Sequence, residues 1–362
     1  MTTTEARHGL LGEHQVGLSG DRTRTRARLA TQVAAAGTNW GRSVPQSEGG
    51  MRRVAVLALL LSVGALSIGV AAFQPSGIKV PDIYKVKDNL YVIGGSEPEK
   101  KGEFSGGNTA VWITEKGVVL VDSKNPGWGQ TILDKVKSVT NKPVIMALNS
   151  HGHSDHAGSN TEYPVSVEFV THENQVKMWA QDKCTNVGNC EQYRGEKRSR
   201  LPKRTFKDKI SVLEGTKDQV DLYWFGRGHT NGDTWVVFRS AAAVHVGDLY
   251  RPRVPPFIDM ANGASGVEFP ETLAKGVAGI GKIETVIPGH GPIMTFADLT
   301  LHRDYMRDFV DYVKAGKKAG KSADDLATAY VVKPQFKGYL EGPQNDRTRV
   351  KDDIKIVWDE LK

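Results

Sequence analysis

The chain has 362 residues, 39% of them hydrophobic and 25% charged, with 48 Lys and Arg against 41 Asp and Glu for a net charge of +7. That balance excludes a disordered, fibrous or disulfide-scaffolded polypeptide and leaves room for one large folded unit. The excess charge sits at the front: residues 1–72 carry 8 basic and 4 acidic side chains, so the remainder holds 40 against 37, which argues against a nucleic-acid partner.

Residues 1–50 have few bulky apolar side chains and an arginine-rich patch at Arg22, Arg24, Arg26 and Arg28. They read as a disordered leader, or as sequence upstream of a true start at Met51. Met51-Arg52-Arg53 precedes a run of almost wholly apolar residues from Val54 to Phe73, with Val70-Ala71-Ala72 supplying small residues near its end. A basic start, an apolar stretch and small residues describe a signal peptide over 51–72, cleaved after Ala72, and a periplasmic or secreted protein. Retained, the same stretch is long enough to anchor the chain in a membrane.

The main folded unit is expected over 78–315, with 316–362 as a linker and a helix packing on it. Strand-like runs at Tyr84 to Ile93, Ala110 to Thr114 and Val118 to Val121 lead to a helix near Gly129 to Val139, whose Ile132, Val136 and Val139 share one face. The apolar run from Pro143 to Leu148 reads as a buried strand, and at its end come His151, Gly152, His153, Ser154, Asp155 and His156. Three imidazoles and a carboxylate in six residues are a metal-site signature. His-x-His places two rings on one side of an extended stretch, while Asp155 and His156 can turn to a second centre.

A strand at Val165 to Val170 and a helix at Glu173 to Gln181 follow, with His172 at their junction as a cap or surface residue. Cys184 and Cys190 flank a short turn and are expected to form a disulfide in an oxidising compartment. The basic run from Arg194 to Lys209 reads mainly as a solvated loop and strand edge, Thr205 to Leu213 being strand-like. Strands at Val220 to Phe225, Thr234 to Phe238 and Ala243 to Val246 precede a helix at Pro270 to Ile280, and three further candidate ligands, His229, Asp248 and His290, each sit just past an apolar run. His245 reads as a packed strand histidine. Asp298 to Lys314 forms a long amphipathic helix carrying an exposed His302, and Arg347 to Leu361 a final one with Val350, Ile354, Val357, Trp358 and Leu361 on one face. Trp128, Trp179, Tyr250 and Phe257 belong to the core or line a pocket.

The ordered set His-x-His-x-Asp-His, Gly228-His229-Thr230, Gly247-Asp248 and Pro288-Gly289-His290-Gly291, together with the strand ending at Asp122, resembles the metallo-β-lactamase fold superfamily of metallohydrolases over roughly residues 85–300. Pattern alone predicts mixed α and β; the resemblance implies an α/β fold of the four-layer αβ/βα sandwich type. It implies two zinc ions or other divalent metals, one on His151, His153 and His229, the other on Asp155, His156 and His290, with Asp248 bridging. It also implies attack by a hydroxide shared between the metals, oriented by Asp155 as the catalytic carboxylate, with Asp122 bracing the histidine loop. Subclass B1 β-lactamases carry a cysteine where this chain has Asp248, and a carboxylate-binding lysine three residues on, where it has Arg251.

The function expected is an exported di-metal hydrolase that cleaves an amide or ester bond in a small molecule, a β-lactam or lactone being representative, with Asn231 and Arg251 as substrate contacts. The alternatives are a phosphoryl or sulfuryl ester hydrolase, a mononuclear iron oxygenase, or a periplasmic relay protein on the same fold. The expected partner is a small-molecule substrate, with a membrane involved only if the apolar leader is retained.

Overall fold

The computed structural model describes residues 81–96, 101–185, 187–340 and 347–362. The predicted leader and signal segment lie outside the described residues, and among those described no helix is long and apolar enough to cross a membrane.

Two sheets form the centre. The first has seven strands in sequential order: β1 (Ile83–Lys85), β2 (Leu90–Ile93), β3 (Thr109–Ile113), β4 (Val118–Val121), β5 (Val144–Leu148), β6 (Glu168–His172) and β7 (Arg204–Phe206). It is antiparallel from β1 to β4 and parallel from β4 to β7. The second contains β8 (Lys209–Val212), β9 (Val220–Tyr223), β10 (Trp235–Phe238), β11 (Ala243–Gly247), β12 (Thr285–Pro288) and β13 (Met294–Thr295), in the order β13-β12-β11-β10-β9-β8, with β11 and β12 parallel and the other pairs antiparallel.

Alternation along each strand sorts the side chains between layers. In β4, Val119 and Val121 enter the core shared by the two sheets, while Val118 and Leu120 face outward with Ile132 and Val136 of α1 (Gly129–Lys137). In β10, Val236 and Phe238 join the shared core, and Trp235 and Val237 face outward. Both faces are covered, so these strands read as continuous apolar runs.

The outer layer on the second sheet comes from α4 (Phe269–Gly279), α5 (Phe296–Lys318), α6 (Ala323–Ala329) and α7 (Arg347–Glu360), numbered after the short α2 (Ser154–Ala157) and α3 (Glu173–Trp179). The result is the α/β sandwich of four layers. Capping boxes start α5 at Thr295 with Asp298 and α6 at Ser322 with Asp325.

Three expectations change. The run expected as one strand from Tyr84 to Ile93 is the hairpin β1–β2, and Thr205 to Leu213 is the crossing where β7 closes one sheet and β8 opens the other, with polar Lys207 and Asp208 between them. The stretch expected as a linker contains α6 and β14 (Lys337–Leu340), with Leu326, Tyr330, Phe336 and Tyr339 buried in the outer core.

Candidate metal centre

The chain ends of β4, β5, β11 and β12 meet at one edge of the sandwich, and the loop between β9 and β10 reaches the same place. Leu148 ends β5, α2 carries Asp155 and His156, Gly247 ends β11 just before Asp248, and Pro288 ends β12 two residues before His290. A rigid scaffold therefore positions every predicted ligand. His151, His153 and His229 offer nitrogens within 4.8 Å of one another, as do Asp155, His156, Asp248 and His290 with one ligand atom each. The structure thus brings the seven predicted ligands together in the two groups expected.

Hydrogen bonds on the outward nitrogens fix the tautomers. His153 Nε2 donates to Asp259 Oδ2 at 2.7 Å, His229 Nδ1 to the Phe257 carbonyl at 2.6 Å, His156 Nδ1 to Asp122 Oδ2 at 2.8 Å and His290 Nδ1 to the Ser96 carbonyl at 3.1 Å. The Ser150 hydroxyl gives its proton to Asp122 Oδ2 at 2.6 Å, so its oxygen accepts from His151 Nδ1 at 3.1 Å. Each of the five rings, in its neutral form, then turns a lone pair inward.

Two pairs of those lone pairs face each other, His153 Nδ1 with His229 Nε2 at 3.1 Å and His156 Nε2 with His290 Nε2 at 3.2 Å. His151 Nε2 and Asp248 Oδ1 are buried with no hydrogen-bond partner among the described residues. Facing lone pairs repel unless a cation lies between them. Tetrahedral zinc with Zn–N bonds of about 2.0–2.1 Å sets two nitrogens roughly 3.3 Å apart, so the donor set fits such an ion. Asp248 spans the groups, with Oδ1 at 3.4 Å from His156 Nε2 and Oδ2 at 3.8 Å from His229 Nε2. Asp155 Oδ2 lies 3.2 Å from His290 Nε2.

Charge in this interior follows from burial and neighbours. Burial and the surrounding imidazoles push His151 well below the ordinary range and His229 down to about 4. Burial would lower His156 too, but the carboxylates of Asp155, Asp248 and Asp122 outweigh it and raise it well above that range. For Asp155 and Asp248, burial acts upward and is overcome by the flanking histidines, which hold both below the usual carboxylate range.

Asp122 is where it was expected, behind the ligands. Its backbone sits at φ 67°, a conformation costly for a residue with a Cβ, and its carboxylate takes the Ser150 N–H at 2.7 Å, the Ser150 hydroxyl and His156. Gly289 and Gly107 permit close approach: a Cβ on Gly289 would lie 1.8 Å from Asp248 Oδ1, and one on Gly107 would lie 2.2 Å from the His156 ring.

The centre opens into a cavity of about 310 Å³ that Arg251 lines, as expected. Asn231 is not among the residues that line it. Its backbone is tied into a neighbouring layer, the N–H donating to Asn262 O and the carbonyl accepting from Asn174 Nδ2. Of the four aromatics considered, Phe257 lines the cavity; Trp128 and Tyr250 are core, and Trp179 props the histidine loop from below, Nε1 donating to Gly152 O at 2.8 Å.

His245 is the packed strand histidine expected, 3.2 Å from Asn108 O, and His172 caps α3. His302 is buried against Tyr250, Tyr305 and Tyr339, not exposed. Cys184 and Cys190 form the expected disulfide.

Sequence reading missed Asp259 as the partner of His153, because no spacing rule joins positions 106 residues apart. It also missed Lys124, a buried ammonium donating to Gly94 O and Gly107 O at 2.7 Å each and pushed by burial down to about 7. A lysine directly after a strand-end Asp-Ser was the available signal.

A sandwich of this kind with two histidine and aspartate clusters at its open edge defines a metallohydrolase scaffold. The family model described as the metallo-beta-lactamase superfamily matches residues 104–290. The chain is 30% identical over 190 residues to Metallo-beta-lactamase type 2 of Elizabethkingia meningoseptica, covering 50% of this chain and 68% of that one. The solved metallo-beta-lactamase from Pontibacter korlensis aligns with a TM-score of 0.51 at 18% identity, over 62% of this chain and 98% of that one. The stereoselective inverting sec-alkylsulfatase from Pseudomonas sp. gives 0.59 at 14% identity, over 78% and 50%. The chain belongs to the metallo-beta-lactamase superfamily and is a metal-dependent hydrolase.

Proposed function

We propose that this cavity is the active site of an exported hydrolase that uses two zinc ions to open an amide or ester bond in a small molecule of the β-lactam or lactone kind. The observation that carries the reading is the pair of imidazole lone-pair contacts at 3.1 and 3.2 Å in a buried interior. His151, His153 and His229 would hold one ion and Asp155, His156 and His290 the other, with an oxygen of Asp248 for each. Metals there supply Lewis acidity, polarising a carbonyl and making water nucleophilic near neutral pH.

The chain does the rest. Asp155, at the cavity wall, orients the attacking water and passes its proton to the leaving nitrogen or oxygen as the acyl bond breaks. Arg251 holds a substrate carboxylate, and Pro255, Pro256 and Phe257 keep bulk water off the reacting bond. The basic, apolar leader and the Cys184–Cys190 bridge support export, since such bonds persist in oxidising compartments.

Sulfuryl or phosphoryl ester hydrolysis is the second reading, favoured by the two arginines, Arg251 and Arg349, in the lining. The test offers the zinc-loaded full chain nitrocefin, a simple lactone, an aryl sulfate and a phosphodiester. Turnover of nitrocefin or the lactone, abolished by a chelator and restored by zinc, is expected. Turnover confined to the sulfate or phosphodiester would move the assignment to the second reading, and inertness toward all four would overturn both.

A further inference from the structure

We propose that Lys124 is a positioning residue for the group of Asp155, His156, Asp248 and His290, which it fixes through the backbone it clamps; this rests on the two-metal reading above. The residue stands two places past Asp122 at φ 62°, a left-handed conformation that is costly for a side chain with a Cβ. Its side chain is buried, and Nζ donates to the carbonyls of Gly94 and Gly107 at 2.7 Å each and to that of Ile93 at 3.5 Å. A buried amine is costly unless its protons are bonded, so these carbonyls are held where the lysine reaches them. Two stretches of chain, one after β2 and one before β3, are thereby tied to the turn after β4.

Both stretches touch this ligand group. Ser96, two residues past Gly94, presents the carbonyl that accepts from His290 Nδ1 at 3.1 Å. The Gly107 N–H donates to the Asp155 carbonyl at 2.9 Å, and the Asn108 N–H to the Gly289 carbonyl, beside His290, at 2.7 Å. Asn108 Nδ2 donates to the carbonyls of Pro288 and Gly291, on either side of the same ligand. Packing leaves no slack: a Cβ on Gly106 would lie 2.5 Å from the Asp155 carbonyl oxygen and 2.8 Å from Lys124 Cα. The Lys124 carbonyl completes the clamp by accepting the Gly158 N–H at 2.9 Å, just past the helix α2 that carries Asp155 and His156.

The three-histidine group is supported differently. Asp259, Ser150 and the Phe257 carbonyl hold its rings, and none of the Lys124 bonds above runs to them. Loss of Lys124 therefore acts on one group, whereas a general loss of stability acts on both. The sign of the effect separates positioning from charge. Removing a positive charge near a divalent ion would by itself tighten binding, whereas slackening the clamp weakens it.

The test uses the full chain with isotopically labelled histidine rings, as wild type, as Lys124→Met and, for contrast, as Asp259→Asn. Chelator competition for zinc, followed at the ring resonances of His229 and His290, yields a dissociation constant for each group. Expected in Lys124→Met is an approximately tenfold weaker constant at His290 with a change under about twofold at His229, and the reverse in Asp259→Asn. In the metal-free protein the His290 ring resonances shift in Lys124→Met and those of His229 stay. Lys124→Gln, which keeps an N–H donor, recovers part of the loss, and it carries the test where Lys124→Met does not fold.

An unchanged or tighter constant at His290, or equal weakening at both groups, would overturn the proposal. Zinc bound by the wild type at neither group would sink the two-metal reading and this inference with it. Zinc at both groups with the Lys124 variants indifferent would sink this inference alone.

Discussion

Five imidazoles can share an interior only if each outward nitrogen is held, and here two carboxylates, one serine and two backbone carbonyls hold them. Asp122 is the busiest of these partners, serving both Ser150 and His156 and, through Ser150, His151. Asp122→Ala should therefore lower zinc affinity about 10- to 100-fold while every metal-binding side chain remains. Chelator competition measures it, and an unchanged dissociation constant would contradict the role. The seven candidate ligands were legible because their motifs pack titratable groups at strand ends, where a buried core has no use for them. Their supports were not: Asp259 lies 106 residues from His153, and the carbonyls of Phe257 and Ser96 carry no sequence signal.

Elements were legible where burial was two-sided and unbroken, as in β4, β5, β10 and β11, whose apolar runs predict strands close to those observed. They were less legible where a polar pair redirects the chain. Lys207 and Asp208 divide one apparent strand between two sheets, a tertiary decision that local pattern does not record. On α5, His302 looked like a surface residue, yet α7 and the stretch through β14 cover that helix and bury it.

Burial lowers His302 from 6.5 to about 3, opposed by its hydrogen bond with the Leu249 backbone. The folded state keeps the ring neutral, whereas the unfolded chain takes up a proton below about pH 6.5. The stability this contributes is complete above that pH and drains away as the pH falls toward 3. Between pH 7 and pH 4.5 the wild type should lose about 2–3 kcal/mol more than His302→Phe. Urea unfolding at the two pH values measures the difference, and parallel losses would contradict a buried neutral ring.

At the scale of the whole molecule, two halves of similar construction meet so that the strands of each deliver ligands to one edge. The first half supplies His151, His153, Asp155 and His156, and the second His229, Asp248 and His290. Each cluster draws on both halves, so metal binding is coupled to their packing across the shared core. Sequence made this convergence legible through resemblance, since the order of the motifs implies a fold that hydropathy alone leaves as mixed α and β. The final helix was expected to pack on the domain, but the part that α6 and β14 play in covering the second sheet lay beyond the resembling segment and emerged only from the packing.

Elemental analysis of purified full-length protein, repeated on His151→Ala and His290→Ala, tests the central claim most directly. Two equivalents of zinc per wild-type chain and about one in each variant are the predicted result; a single iron, or catalytically active protein holding no bound metal, would contradict it.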